Sequence, residues 1–198
     1  MTFSAVTISA LAEVEEGATV GEGAVVWQFA KIRTGSSIGK RCRIGGGVYV
    51  GAGVAVGDDC KIENAAQVFE GTRVGSGVFI GPGALLLNDS YPRAVTSSGT
   101  LKQAADWTVN GVTVEDGASI GGGAVVLPGR HIGRCALVGA GAVVTTAVPP
   151  FALVIGNPAR RIGTVCGCGT PMEDRMSCSA CGLDFVLDPT TGFLRFSG

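Results

Sequence analysis

Two groups of residues in this chain have types and spacings suited to chemistry. In "LLLNDSYPRA", Leu85 to Ala94, an amide and a carboxylate stand side by side at Asn88 and Asp89, followed by Tyr91 and Arg93. Such a set offers acceptors for amine and hydroxyl groups, an aromatic face and a cation for an anion. A plain turn explains the same stretch, with Pro92 fixing φ and Asn88 capping its own backbone. The second group is Cys166, Cys168, Cys178 and Cys181, spelling C-x-C-x9-C-x2-C, with glycine directly after Cys166, Cys168 and Cys181. Paired thiols on glycine-rich knuckles suit one tetrahedral metal, and a tail of about 30 residues needs such a staple to fold. Zinc is expected ahead of iron or two disulfides, in a structural role because four thiolates leave no open position. Cys42 and Cys60 read as core filler.

What positions these groups is a repeat. Stepping by six from Ile8 gives Val14, Val20, Val26, Ile32, Ile38, Ile44, Val50, Val56, Ile62, Val68, Val74, Ile80 and Leu86. Four residues after each of these sits a residue that is usually small, as at Ala12, Ala24, Ser36, Cys42 and Ala66. The register is lost after Leu86 and resumes at Val114, Ile120, Val126, Ile132, Val138 and Val144. A period of six is not a helix face, whereas it is a multiple of the strand period of two. One short strand per hexad lets three hexads close a triangular coil, and the glycine after the aliphatic residue in "VGEGA" and "IGPGA" is expected to supply the turn geometry. Coils rise by about 4.8 Å each, so the hexads predict nearly seven coils and a prism roughly 30 Å tall. An antiparallel sandwich does not hold one register for so long. Eighteen-residue spacing sets Lys31, Tyr49, Gln67 and Leu85 as a ladder up one face.

Composition removes other classes. The 33 glycines among 198 residues lack the spacing of collagen, and a formal net charge of −1 argues against a nucleic-acid footprint. No apolar run approaches the roughly 20 residues that span a bilayer, and "MTFSAVTISALAEVEEG" has no basic segment ahead of an apolar core. A soluble, cytoplasmic protein without membrane insertion is expected.

Through residues 8 to about 162 the repeat resembles the hexapeptide-repeat acyltransferases. That resemblance implies an all-β fold, a left-handed parallel β-helix over residues 1–163 with an extended loop at 87–111, followed by a small zinc-ribbon-like tail with four cysteines at 164–198. It also implies a homotrimer with acyl-CoA between neighbouring prisms. The stretch from Cys60 to Ala94 is similar to one subfamily, the N-acetyltransferases of nucleotide-linked 3-amino sugars, through Lys61, Ile62, Asn64, Phe69, Glu70, Gly71, Gly81, Pro82, Asn88, Asp89, Tyr91, Pro92 and Arg93. Leu87 stands where that subfamily carries threonine, and Lys31 where it carries histidine.

The resemblance implies that Asn88 and Asp89 orient the attacking amine and that Gln28, Lys31, Asn64, Glu70, Tyr91 and Arg93 bind the nucleotide sugar. "GAGAVVT" and "GNPAR" resemble the CoA-binding end of such enzymes. Gly121, Gly139, Ala140 and Ala142 are expected to expose backbone to the pantetheine arm, with Asn157, Pro158, Arg160 and Arg161 near its phosphates. Zinc carbonic anhydrases share this prism but need three histidines, and His131 is the single one here. His131 is expected as an outward surface residue rather than a general base, and a missing base suits an amine acceptor. The expected activity is acetyl-CoA-dependent N-acetylation of a UDP-linked 3-amino-glucuronate derivative for surface polysaccharide, with a dTDP-linked 3-amino-6-deoxyhexose second. A non-catalytic β-helix scaffold is the alternative of a different class.

Overall fold

A computed structural model describes residues 5–172, 176–187 and 194–196. Its strands are almost all two residues long, and those of the coils pair in parallel with the strands one coil away. Three flat faces result. Face 1 opens at Thr7–Ile8, face 2 at Glu13–Val14 and face 3 at Thr19–Val20. Every second strand residue points inward and stacks on its copy eighteen positions on, as in Ile44, Ile62 and Ile80, all essentially inaccessible to solvent. The small residues four positions later, among them Ala24, Ala66 and Ala84, fill the rest of the interior. Cys42 and Cys60 belong to this column and are fully buried.

The expected register holds across the insert. Val74 pairs with Val114 and Leu86 with Val126, so the coil closes again after residues 87–111 as though nothing had been added. Two expectations change. Face 1 carries an eighth parallel strand, Ala152–Ile155, stacked on Leu137–Val138; the hexad count missed it because Val154 follows Val144 by ten residues instead of six. The glycine roles also differ from those expected. Gly21 and Gly81, directly after the aliphatic residue, are required by close approach, since a Cβ there would lie 2.6 and 2.5 Å from backbone of the next coil. The left-handed turn geometry falls two residues later, at Gly23 (φ 71°) and Gly83 (φ 66°).

Above the eighth rung the chain turns back. Strand Arg160–Val165 runs antiparallel to Ala152–Ile155, and Pro171–Met172 pairs antiparallel to it in turn, making face 1 a sheet of ten strands. Among the described residues no helix is long and apolar enough to cross a membrane.

Candidate active site

The insert leaves the prism at the edge between faces 2 and 3. Leu87 still donates its N–H to the Val126 carbonyl, and the neck closes where Asn110 N–H meets the Asn88 carbonyl at 2.9 Å. Asn88 Nδ2 donates to the Glu70 carbonyl one coil below, 3.2 Å away. That bond fixes the amide so that its Oδ1 is left as an acceptor. Asp89 Oδ1 accepts from the Tyr91 N–H at 2.9 Å, so the turn reading of the sequence is realised at Asp89 rather than at Asn88. Beyond the neck, Thr96 to Thr100 form a tight turn and Ala104–Asp106 a single 3-10 turn, with Asp106 Oδ2 accepting from the Gln103 N–H. The neck and the stretch from Lys102 to Asn110 wall a cavity of about 430 Å³ lined by Asp89, Tyr91, Lys102, Asp106, Trp107 and Asn110, among others. Tyr91 stands at its margin, 84% exposed. Arg93 does not line the cavity; its guanidinium donates to the Pro92 carbonyl. Glu70 lies exposed on the same edge.

A second cavity, also of about 430 Å³, lies on the edge between faces 1 and 2. Gln28 and Asn64 line it, as do Trp27, Arg43, Lys61 and Glu63. Asn64 Oδ1 accepts from the Gly46 N–H at 2.8 Å. Sequence reasoning missed Trp27, Arg43 and Glu63, although the eighteen-residue spacing that made the Lys31 ladder also stacks Arg43 on Lys61. Lys31 is on neighbouring face 2, stacked on Tyr49 as expected, where its ammonium pairs with Glu13 at 3.0 Å. Phe69 packs against Tyr49 with ring centroids 5.7 Å apart.

Higher on the edge between faces 1 and 2 sit Gly121, Gly139 and Ala140, and above them Asn157 and Pro158. Three members of the expected set are engaged by the solenoid itself. Gly121 and Gly139 donate to Val138 and Val154, and buried Ala142 donates to Gly139 while accepting from Val125. The ladder that stacks the coils thus takes up the N–H groups of Gly121 and Gly139, and Ala142 is enclosed within the prism. Ala140 is exposed at the turn. Arg160 and Arg161 are exposed, Arg161 donating to the Gly163 carbonyl and the Thr164 hydroxyl. His131 points outward from face 3, its Nε2 2.9 Å from Glu115 Oε1.

The four tail cysteines converge, with all Sγ atoms within 4.8 Å of one another. Cys166 to Cys181 is 3.5 Å and Cys168 to Cys178 is 3.7 Å. Tetrahedral zinc–thiolate bonds of about 2.3 Å require sulfurs about 3.8 Å apart, so the donors fit that ion. Burial pushes the Cys166 thiol up to about 12, while hydrogen bonding with Thr170 brings Cys168 down to about 6. Backbone N–H groups of Cys181 and Ala180 lower Cys178. Phe185 meets Phe151 of the prism edge-on at 5.5 Å, and both belong to a small core with Cys166 and Cys178. The expected division between residues 163 and 164 falls inside strand Arg160–Val165.

The family model for the hexapeptide repeat of succinyl-transferase matches residues 36–70 and 109–146. A dTDP-3-amino-3,6-dideoxy-alpha-D-galactopyranose 3-N-acetyltransferase of Aneurinibacillus thermoaerophilus is 46% identical over 71 residues, 35% of this chain and 37% of that protein. Serine acetyltransferase of Escherichia coli is 40% identical over 81 residues, 40% of this chain and 29% of that protein. The chain thus spans little more than a third of the length of the first of these relatives and less of the second. Among solved structures, PerB from Caulobacter crescentus in complex with CoA and GDP-perosamine superposes with a TM-score of 0.54 at 27% identity, covering 81% of this chain and 58% of that one.

Proposed function

We propose that this chain is a hexapeptide-repeat acyltransferase, a reading supported by the family model and by the named relative, and that it transfers the acetyl group of acetyl-CoA to the 3-amino group of a nucleotide-activated sugar. The observation that carries this reading is the neck of the insert. There Asn88 Oδ1 and the second oxygen of Asp89 stand as fixed acceptors beside a cavity of sugar-binding size. An amine held by them attacks the thioester carbonyl as its neutral form, the C–N bond forms, the C–S bond breaks, and the CoA thiolate takes the proton the nitrogen sheds. No side chain has to deprotonate the acceptor, which suits the placement of the single histidine against Glu115.

Lys61, Trp27, Gln28 and Asn64 make a cation, a flat ring and two amides, a set suited to a nucleotide diphosphate. The pantetheine arm lies along the same edge past Gly121, Gly139 and exposed Ala140, with its phosphates toward Asn157, Pro158, Arg160 and Arg161. PerB, solved with CoA and a nucleotide sugar, supports such a pair of ligands on this fold. Within one chain the amine-orienting neck and the nucleotide cavity lie on different edges. A homotrimer, in which the edge of one copy meets the insert of the next, joins them into one site. A UDP-linked 3-amino-glucuronate derivative is the first substrate, and a dTDP-linked 3-amino-6-deoxyhexose, favoured by the name of one relative, the second. The four-cysteine cluster holds zinc in a structural role.

The test is direct. Asn88→Ala is expected to lower kcat roughly 10- to 100-fold in an assay of acetyl-CoA consumption, by loss of amine orientation, with a melting temperature only a few degrees lower for the lost bond to the Glu70 carbonyl. Asp89→Asn keeps the turn and a large part of the activity; complete loss there with Asn88→Ala active would reassign Asp89 as an essential general base. A non-catalytic scaffold would show no thermal stabilisation by CoA, UDP or dTDP.

A further inference from the structure

We infer that Lys102 selects the sugar: the insert cavity is built for a 3-amino sugar that also carries a carboxylate, a hexuronate, in preference to a neutral or deoxy counterpart. This rests on the acetyl-transfer reading above and concerns the same site. Among the described residues, Lys102 is the one basic side chain lining the cavity. Its backbone is anchored, the N–H donating to the Ala94 carbonyl at 3.0 Å, so the side chain starts from a fixed point. It is half-buried and forms no ion pair among the described residues.

The absence of a pair is notable because two carboxylates line the same cavity. Both are tied to local backbone. Asp89 holds the Tyr91 N–H and Asp106 the Gln103 N–H, each within a turn that would open if the carboxylate swung toward the lysine. The cavity therefore presents separated charges of both signs, with the Trp107 ring beside them. A bound 3-amino-hexuronate offers the N–H groups of its neutral amine to Asp89 and its carboxylate to Lys102, and its ring face suits Trp107. A 6-deoxy sugar would set a methyl group against a cation it cannot satisfy, and a site with a polar group left unpaired discriminates strongly.

The test pairs a UDP-linked 3-amino-hexuronate with the same nucleotide sugar reduced to CH2OH at C6, in the acetyl-CoA consumption assay. Wild type is expected to favour the uronate at least tenfold in kcat/KM. Lys102→Met is expected to bring that ratio near one, chiefly through a higher KM for the uronate, and Lys102→Glu to invert it. Melting curves of both variants should overlay wild type, since the side chain holds no partner in the fold. A wild-type ratio near one, or a ratio that neither variant moves, overturns the role of Lys102 while leaving acetyl transfer standing. If wild type consumes acetyl-CoA with neither sugar nor with a dTDP-linked 3-amino-6-deoxyhexose, the parent reading falls and this one with it.

Discussion

Gly111→Ala is expected to lower the melting temperature by about 10 °C and to leave no measurable transfer activity. A Cβ at this position would lie 2.0 Å from the carbonyl carbon of Gly71 and 2.1 Å from its oxygen. Both are backbone atoms of a coil that cannot yield. Thr72 N–H is bonded to the Phe69 carbonyl and Arg73 N–H to the Val112 carbonyl, so moving Gly71 breaks the ladder on which the upper coils stand. The alternative is for the insert to move. Its exit then no longer brings Asn110 to Asn88, and the cavity loses its neck. A cost of roughly 3–4 kcal/mol matches clashes of this kind, and in a chain of this size each kcal/mol is worth about 2–4 °C. Gly83→Ala is the control. Nothing lies within 4 Å of its Cβ, and only the left-handed φ of 66° opposes it, at about 1–2 kcal/mol. Calorimetric scans of the two variants check the order, and a Gly111→Ala protein that melts with wild type would mean that the insert re-enters the prism differently.

The second large effect is expected at the proposed zinc site. Chelation, or Cys178→Ser, is expected to abolish protection from hydrogen exchange across 166–187 while leaving the coils from Val26 to Leu86 protected. Among the described residues the core at the tail consists of Phe151, Cys166, Cys178 and Phe185, a cluster small enough that the proposed ion should decide whether it folds. Its loss reaches into the prism along a single strand. Arg160–Val165 runs straight into Cys166, so the apo protein should also show partial exchange at 160–165 and a weaker affinity for CoA. Titration calorimetry with CoA on the loaded and chelated protein measures the last effect. Cys42→Ala, at a fully buried coil position away from the cluster, should leave metal content unchanged. Equal exchange at 166–187 with and without chelator would show that the tail folds on side-chain packing alone.

Most of the prism was legible in the sequence, because a register of six writes the inward column directly. Val74 and Val114 are forty positions apart and still pair, and the resumption at Val114 foretold it. The eighth rung was not, since the chain there drops the hexad and the strand is defined by its pairing with Leu137–Val138 on one side and Arg160–Val165 on the other. Glycine identity was read correctly and glycine function was not. A sequence shows where Cβ is absent but not whether space or φ demands it, as Gly81 and Gly83 illustrate. Of the candidate site, the neck residues Asn88 and Asp89 announced themselves by breaking the repeat. Trp27 and Glu63 sit within it, on outward positions where any residue satisfies the fold, so only the three-dimensional edge makes them neighbours. Lys102 lies in a segment with no period at all, so the sequence shows a lysine within the insert but not its place beside Asp89 and Asp106.

The stacking of coils has one more consequence. Leu86, Val126 and Val144 occupy successive rungs of face 2, so the height between the insert and the arginines at the top is set by counting. Each rung is a fixed increment of about 4.8 Å. The molecule is therefore a graduated scale: lengthening or shortening the gap between the insert and these arginines can proceed only in whole steps of eighteen residues, and an excision of one such step would change reach without disturbing any hydrogen-bond partner type.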